Sequence, residues 1–450
     1  MTAGLATAGS GQSWESALVG ALDRGATPLT VVRRCVDVAD LLAVASTGQI
    51  AVAAVAADLR RLDSEVVDEL HRLGVAVVAV RSAADDRIAV RLQRIGIAAV
   101  VPDDQDGADL VTILLRERDR QRLAARGEQP GTGGAQVSDR MLDPATGGAS
   151  TVGSDAGSAD GAAGPTPRSG RVVAVWGPAG APGRSTVASG LAGAAAEAGA
   201  RTVLVDADVY GGVQASAFGL LDESPGLAGA CRLAANGRLD LAGLVGLCWQ
   251  LTPELRLLTG ISRADRWPEL RPSTMPVVLD GCRQLADLTV LDCGFCLEDD
   301  PELSFDTLAP RRNGATLAAL TAADEIVVVG SADPAGMERL VRGLAELREA
   351  VPGGSLRVVL NRCRPTAART DDAVEALHRF AGVRVAARLP EDRDATDRAW
   401  RAGIGLVEAA PSSPLRRSLT ELAASMLGGA VRGDGGRSRR RPVPRGRAAG

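Results

Sequence analysis

The chain contains no lysine: every one of the 51 basic residues among its 450 is arginine. Chemistry that needs an ε-ammonium, such as a Schiff base, a phosphate-binding ammonium or the dyad of short-chain dehydrogenases, must use another group or fail here. Histidine is nearly as scarce. His71 and His378 lie far apart without neighbouring ligand types, which excludes a histidine-rich metal centre. Aromatics make up 2% of residues, so alanine, valine and leucine must supply the core. No apolar run reaches the length of about 18 residues that a membrane span needs. The opening segment MTAGLATAGSGQSW has no apolar h-region, and no basic residue precedes Arg24, so no signal peptide is expected. The seven cysteines therefore read as reduced thiols and the expected location is cytoplasmic. A net charge of −4 argues against a general nucleic-acid binder.

What is present divides by composition. A length of 450 residues allows roughly three domains, and 46% apolar with 24% charged residues is ordinary for a globular chain. Residues 1–25 are small and polar and are expected to form a flexible N-terminus. Over 26–120, TPLTVVRRC, QIAVAAVAAD, GVAVVAVRS and GIAAVVPDD read as buried strands, with SEVVDELHRLG and DDRIAVRLQRIG as helices between them. Such alternation predicts an α/β, doubly wound parallel sheet. Residues 127–170 are dense in Gly, Ser, Asp and Pro and read as a disordered linker. Strand–helix alternation resumes over 171–428, and 429–450 form an Arg-rich tail expected to be disordered, with an anionic surface as its alternative partner.

The strongest chemical signal opens the second α/β region. Arg171–Trp176 reads as a strand, 177–186 (GPAGAPGRST) as a glycine-rich turn and 187–199 as a small-residue helix. That order aims backbone N–H groups and a helix N-terminus at one point, which is the physics of a phosphate site. Two readings compete. Gly177, Gly180 and Gly183 at threefold spacing, with Asp206 about twenty residues on, fit a dinucleotide turn and a nicotinamide-dependent oxidoreductase. Arg184, Ser185 and Thr186 at the helix start, Asp206 and Asp208 closing the strand VLVDAD, and Asp292 closing ADLTVLD favour a nucleoside triphosphate with Mg2+.

With these motifs in order, the C-terminal region resembles the MinD/ParA family of P-loop ATPases, in its CpaE/TadZ-like branch, over essentially all of 171–425. The resemblance implies ATP and Mg2+ as ligands. Gly177, Gly180, Gly183, Arg184, Ser185 and Thr186 would cradle phosphate, Ser185 would hold the metal directly, and Asp206 and Asp292 would hold it through water. Asp208 falls where the family orients attacking water. Asn361 and Arg362 in VVLNRCRP fall where it reads adenine, and Pro390 in LPEDR beside the base. The departures matter equally. The family's signature lysine is Ala179 here, its phosphate-binding lysine is Arg184, and Pro182 deletes one N–H from the cradle. Nucleotide binding with weak or absent hydrolysis is the expectation.

The family implies a spatial regulator that determines or inhibits the division septum. The alternatives are a localisation factor for a Tad-type pilus or secretion system and a scaffold that binds no nucleotide. Cell-division or pilus and secretion assembly proteins and a second copy of the chain are the expected partners, with recruitment to septum, pole or inner membrane face. The N-terminal sheet resembles the receiver-like (flavodoxin-like) domain of CpaE-type proteins, in degenerate form: Arg33 and Arg34 lie on its first expected strand, and Asp58 is the one acid offered as phosphoacceptor. Cys293 and Cys296 read as structural thiols, Trp267 as a surface-loop anchor, and 414–427 as a helix packed on the sheet.

Overall fold

The computed structural model describes residues 2–9, 11–24, 27–83, 86–125, 170–180, 182–220, 225–299, 311–364 and 367–427. The stretch read as a linker, apart from Gly170, and the Arg-rich tail lie outside them. Five strands, β1 (Ala3–Ala8), β2 (Leu29–Cys35), β3 (Val52–Ala56), β4 (Ala76–Arg81) and β5 (Ala99–Pro102), form a parallel sheet in the order β2-β1-β3-β4-β5. This is the doubly wound order of flavodoxin-like folds. Leu5, Val52, Ala54 and Val78 bury on one face, and Ala6, Ala53, Val55 and Val77 on the other. Helices therefore cover both faces, and the strands need no polar side.

The expectation of a flexible N-terminus is overturned. Residues 3–8 form β1, at the sheet's interior between β2 and β3, and Ser13–Arg24 form a helix anchored by buried Trp14 and Leu18. AGLATA looks unlike a strand because, Leu5 apart, it is built of small residues, and at Gly4 the neighbouring backbone leaves room for nothing larger. A Cβ on Gly4 would lie 1.9 Å from the Gln49 carbonyl oxygen. The segment expected to be the first strand is instead β2, at the sheet edge, with Arg33 and Arg34 on it.

The second sheet has eight strands: β6 (Arg171–Trp176), β7 (Thr202–Ala207), β8 (Trp249–Gln250), β9 (Leu255–Leu258), β10 (Leu288–Cys293), β11 (Glu325–Ser331), β12 (Leu356–Cys363) and β13 (Val385–Pro390). Their order is β13-β12-β11-β6-β10-β7-β9-β8, and among the described strands only β8 and β9 pair antiparallel. The mostly parallel α/β sheet expected of a P-loop domain is what forms. Strand β6 shows its period of two directly: Val172, Ala174 and Trp176 enter one core layer, Val173 and Val175 the other. On the second layer the helix Arg184–Glu197 meets the helix Pro414–Met426, whose Leu419 packs over Gly190. That last helix buries Leu415, Leu419, Leu422 and Met426.

The chain leaves β6 toward β7 on one side, and β11 flanks β6 on the other. The sheet thus reverses direction at β6, and the crevice at its carboxyl end is where an open α/β sheet binds ligands. The two sheets also touch. Arg271 Nη1 lies 2.7 Å from both Asp63 Oδ2 and Glu65 Oε2, and Arg91 Nε donates to the Asn236 carbonyl at 3.1 Å. Trp267 lines the cleft between them with Glu65 and Pro272 and packs, half-buried, against the core of the second sheet.

Candidate nucleotide site

Two glycines set the shape of the loop after β6. Gly180 has φ +100° and Gly183 φ +97°, conformations that side chains resist. Gly183 then serves as N-cap of the helix Arg184–Glu197, whose first N–H groups have no intrahelical partner. Space enforces the same choice, since a Cβ on Gly183 would lie 2.3 Å from Asn361 Nδ2 and one on Gly177 2.3 Å from the Val329 carbonyl oxygen. Pro182 contributes no N–H, but its carbonyl accepts from Asn361 Nδ2 at 2.8 Å.

The acids meet because of strand register. Asp206 on β7 is the direct parallel partner of Asp292 on β10, and both carboxylates are buried. Asp206 accepts from the backbone N–H of Asp208 at 3.3 Å and of Gln214 at 3.0 Å. Asp292 Oδ2 accepts from Gln214 Nε2 at 2.8 Å, and the same amide donates to the Ser185 carbonyl at 3.1 Å. Burial pushes the Asp206 carboxyl up to about 8, assisted by the charge of Asp292. Burial also raises Asp292, to about 6, against the pull of hydrogen bonds from Gln214 and Ser185. Two facing carboxylates out of water disfavour double ionisation, so the pair tends to retain a proton at neutral pH.

Arg184 is the loop's own cation, and it is tied down. Its Nε donates to the Cys293 carbonyl at 3.2 Å, and Nη1 to the carbonyls of Gly177 and Pro178 at 3.3 Å each. Its Nη2 lies 3.6 Å from Asp208 Oδ2, while Asp208 Oδ1 accepts from the N–H groups of Tyr210 at 2.9 Å and Gly211 at 3.3 Å. Asp208 is thus already paired on both oxygens.

Two acceptors in this cluster, Asp292 Oδ1 and Gln214 Oε1, are buried without a hydrogen-bond partner. Orphaned oxygens beside a second carboxylate and the Ser185 end of the loop suit a hard divalent cation. Among the described residues no group of three or more His, Cys, Asp or Glu side chains is placed to hold a metal alone. A Mg2+ ion keeps several waters and takes one or two carboxylates, so the donor set fits it through Ser185, Asp206 and Asp292.

The residues expected to read adenine gather on adjacent strand ends, with Pro390 registered against Cys363 and Arg362 exposed at φ +57°. Asn361, expected to read adenine, donates from Nδ2 to the Pro182 carbonyl and so braces the loop. Thr186 stands half-buried in the helix's first turn. Cys293 is buried beside the acids, and Cys296 Sγ accepts from Asn313 Nδ2 at 3.3 Å; both are free thiols. The sequence reading missed Gln214, which links both acids to the loop, and Gly212 and Gly260. A Cβ at either glycine would come within 2.9 Å of the Asp206 carboxyl group. Only the run of small residues after D-x-D hinted at that crowding.

No curated protein matches the chain. Among solved structures it is similar to the septum site-determining protein MinD complexed with Mg-ADP from Pyrococcus horikoshii, at 19% identity and TM-score 0.44, over 57% of this chain and 95% of that one. It is also similar to a ParA family ATPase from Chlorobium tepidum, at 20% identity and TM-score 0.48, over 56% and 98% respectively. The model of the CobQ/CobB/MinD/ParA nucleotide binding domain matches residues 173–401, a span that contains the loop, Gln214, both facing acids and Pro390. This chain therefore belongs to the CobQ/CobB/MinD/ParA nucleotide-binding domain family.

Proposed function

We propose that the chain is a spatial regulator of the MinD/ParA type that binds Mg-ATP and hydrolyses it slowly or not at all. The observation that carries this reading is the facing pair Asp206 and Asp292, buried with an orphaned oxygen beneath a phosphate-type loop. The finer assignment is a septum site-determining protein of the CpaE-like branch, similar to the actinobacterial protein Ssd. It rests on the five ordered motifs and on the degenerate receiver-like character of the first sheet.

When bound, Mg2+ neutralises phosphate charge and fixes the position of the terminal phosphates. The residues of the chain have separate parts. The helix N-terminus after Gly183 offers N–H groups to phosphate, and Ser185, Asp206 and Asp292 hold the cation. Gln214 keeps the two acids and the loop in register. Slow turnover follows from Arg184: three carbonyls and Asp208 hold its guanidinium, so it lacks the freedom of a point-like ammonium to follow moving charge. The segment after Asp292 runs directly into Phe295 and Cys296 and, beyond the undescribed 300–310, into Arg312 and Asn313. Phe295 and Arg312 both touch the Tyr210 ring, and Asn313 accepts from its hydroxyl. Nucleotide would gate partner binding by shifting the cluster of Tyr210, Phe295, Arg312 and Asn313 that follows the acids.

The scaffold reading is favoured by the same tethering of Arg184. Calorimetric titration of the full chain with Mg-ATP and a non-hydrolysable analogue separates the two. Micromolar, Mg2+-dependent binding that Asp292→Ala weakens by at least a hundredfold supports the nucleotide switch. A folded chain that binds neither ligand is the scaffold, and turnover at ordinary P-loop ATPase rates would refute slow hydrolysis.

A further inference from the structure

The loop is poor in positive charge. Its Arg184 is engaged inward, Ala179 carries no charge, and three aspartates stand close behind. A bound triphosphate adds more negative charge to that cluster, and its outermost phosphate needs a cation from somewhere else.

The helix Pro334–Ala350, which follows β11, runs beside the loop. Gly343 allows the approach: a Cβ there would lie 3.1 Å from the Trp176 ring and 3.2 Å from Pro178 Cβ. One turn nearer the helix N-terminus, on the same face, stands Arg339. Its Nη1 lies 2.3 Å from where a Cβ on Gly180 would sit, with Cζ at 3.1 Å and Cδ at 3.4 Å, so the guanidinium is laid along the tip of the loop. Gly180 is thus glycine twice over, for its positive φ and for this contact.

Arg339 is exposed. The nearby acid, Asp333, caps the helix by accepting from Gly336 N at 2.9 Å and from the Ser331 hydroxyl at 2.5 Å, and it feels Arg339 only through space. By contrast Arg342, a turn's breadth away, is paired with Glu338. Among the described residues no hydrogen bond or ion pair engages the Arg339 guanidinium, which folding has placed against the loop at Gly180 and left exposed.

We infer that Arg339 is the second phosphate-binding cation of this site, reaching across Gly180 to the terminal phosphate of a bound nucleoside triphosphate. The inference rests on the nucleotide-binding reading above. A guanidinium forks onto two phosphate oxygens, so a single arginine at this point can discriminate a triphosphate from a diphosphate that ends short of it.

The test is calorimetric titration of the full chain and of Arg339→Ala, Arg339→Lys and Arg342→Ala with a non-hydrolysable Mg-ATP analogue and with Mg-ADP. Arg339→Ala is expected to weaken the triphosphate analogue about ten- to a hundredfold and Mg-ADP several-fold less. Arg339→Lys is expected to recover part of the loss, and Arg342→Ala to bind as the unaltered chain does. An unchanged thermal midpoint of the nucleotide-free variants confirms that folding is intact, as an exposed side chain requires. Equal losses for both nucleotides, or no loss, would overturn the role of Arg339 while leaving nucleotide binding in place. Failure of the unaltered, folded chain to bind either nucleotide would overturn the underlying reading itself.

Discussion

Both sheets are doubly wound and parallel, apart from the β8–β9 pair of the second, and both collect polar groups at the carboxyl ends of their inner strands, yet they treat the charge there in opposite ways. Around the carboxyl ends of the first sheet's strands each acid has a donor: buried Glu15 accepts from Arg34 at 3.2 Å, exposed Asp58 receives the Gln12 amide at 3.2 Å and half-buried Asp103 receives the Ala83 N–H at 3.0 Å, while Glu69, buried on the helix Ser64–Arg72, is ion-paired with Arg72. In the second, Asp206 and Asp292 face each other, an oxygen is left unpaired, and the nearest cation is turned toward carbonyls. A sheet edge whose charges are satisfied has finished folding electrostatically. One with two opposed carboxylates is destabilised until a cation arrives, which is the signature of a site and not of a structural ion pair. By this criterion the first sheet is a binding or localisation module in our proposal, and the chemistry belongs to the second.

The sharpest way to break the comparison is to remove one acid from each sheet. Asp206→Asn deletes a carboxylate that burial penalises, so the nucleotide-free chain should gain about 1–3 kcal/mol at pH 8. The same change should abolish the Mg2+-dependent part of nucleotide affinity. Glu15→Gln removes a matched acid, and since Arg34 is half exposed it should cost only about 1 kcal/mol. Chemical denaturation measures both. A loss of stability in Asp206→Asn would mean that the second sheet's acids are as well satisfied as the first's, and the distinction would collapse.

The pH dependence sharpens the same point. Asp206 is raised in the folded chain to about 8 from an ordinary value of 3.8, so between those limits the folded state holds a proton that the unfolded state has lost. Stability of the nucleotide-free protein is therefore highest below pH 4 as far as this group is concerned, and falls as pH rises toward 8. Binding of Mg2+ needs ionised acids, so affinity for Mg-nucleotide should rise over pH 6 to 8, with proton uptake at the carboxylates reversed on binding. Titration in buffers of different ionisation enthalpy reads the released protons. An affinity flat across that range would mean the pair is already ionised in the free protein.

How much of this was legible beforehand differs between the sheets for physical reasons. The second sheet announces itself because its strands are β-branched and its loop must use glycine, and the acids stand at strand ends where register brings them together. The first sheet's β1 was invisible: Gly4 must stay glycine against the Gln49 carbonyl, and with Leu5 as its one large side chain AGLATA has the composition of a loop. Gln214 and Arg339 were equally hidden, for a different reason. Their parts depend on where a turn and a neighbouring helix come to lie, and no spacing within the sequence encodes that approach. Asn361 was picked out by its motif, but its bond to the Pro182 carbonyl, which braces the loop, depends on a tertiary contact that no spacing in the sequence encodes.

The smallest expected effect concerns the seam between the sheets. Arg271 bridges Asp63, the N-cap of the helix Ser64–Arg72, and Glu65 in its first turn. All three side chains keep some contact with water, so Arg271→Ala should cost less than about 1 kcal/mol, and lower the thermal midpoint by only a few degrees. Burial already raises the Glu65 carboxyl, and Arg271 is the largest influence pulling it back, so removing the arginine raises it further. The cost should accordingly fade as pH falls through the carboxylate range and Glu65 loses the charge that Arg271 pairs. Hydrogen exchange localises the effect. Faster exchange in 64–72 with no change in β6 and β10 would mark the seam as an independent, weakly held contact. Faster exchange in the acids' strands as well would show that the satisfied sheet and the unsatisfied one share a single cooperative unit, through which occupancy of the site reaches the N-terminal module.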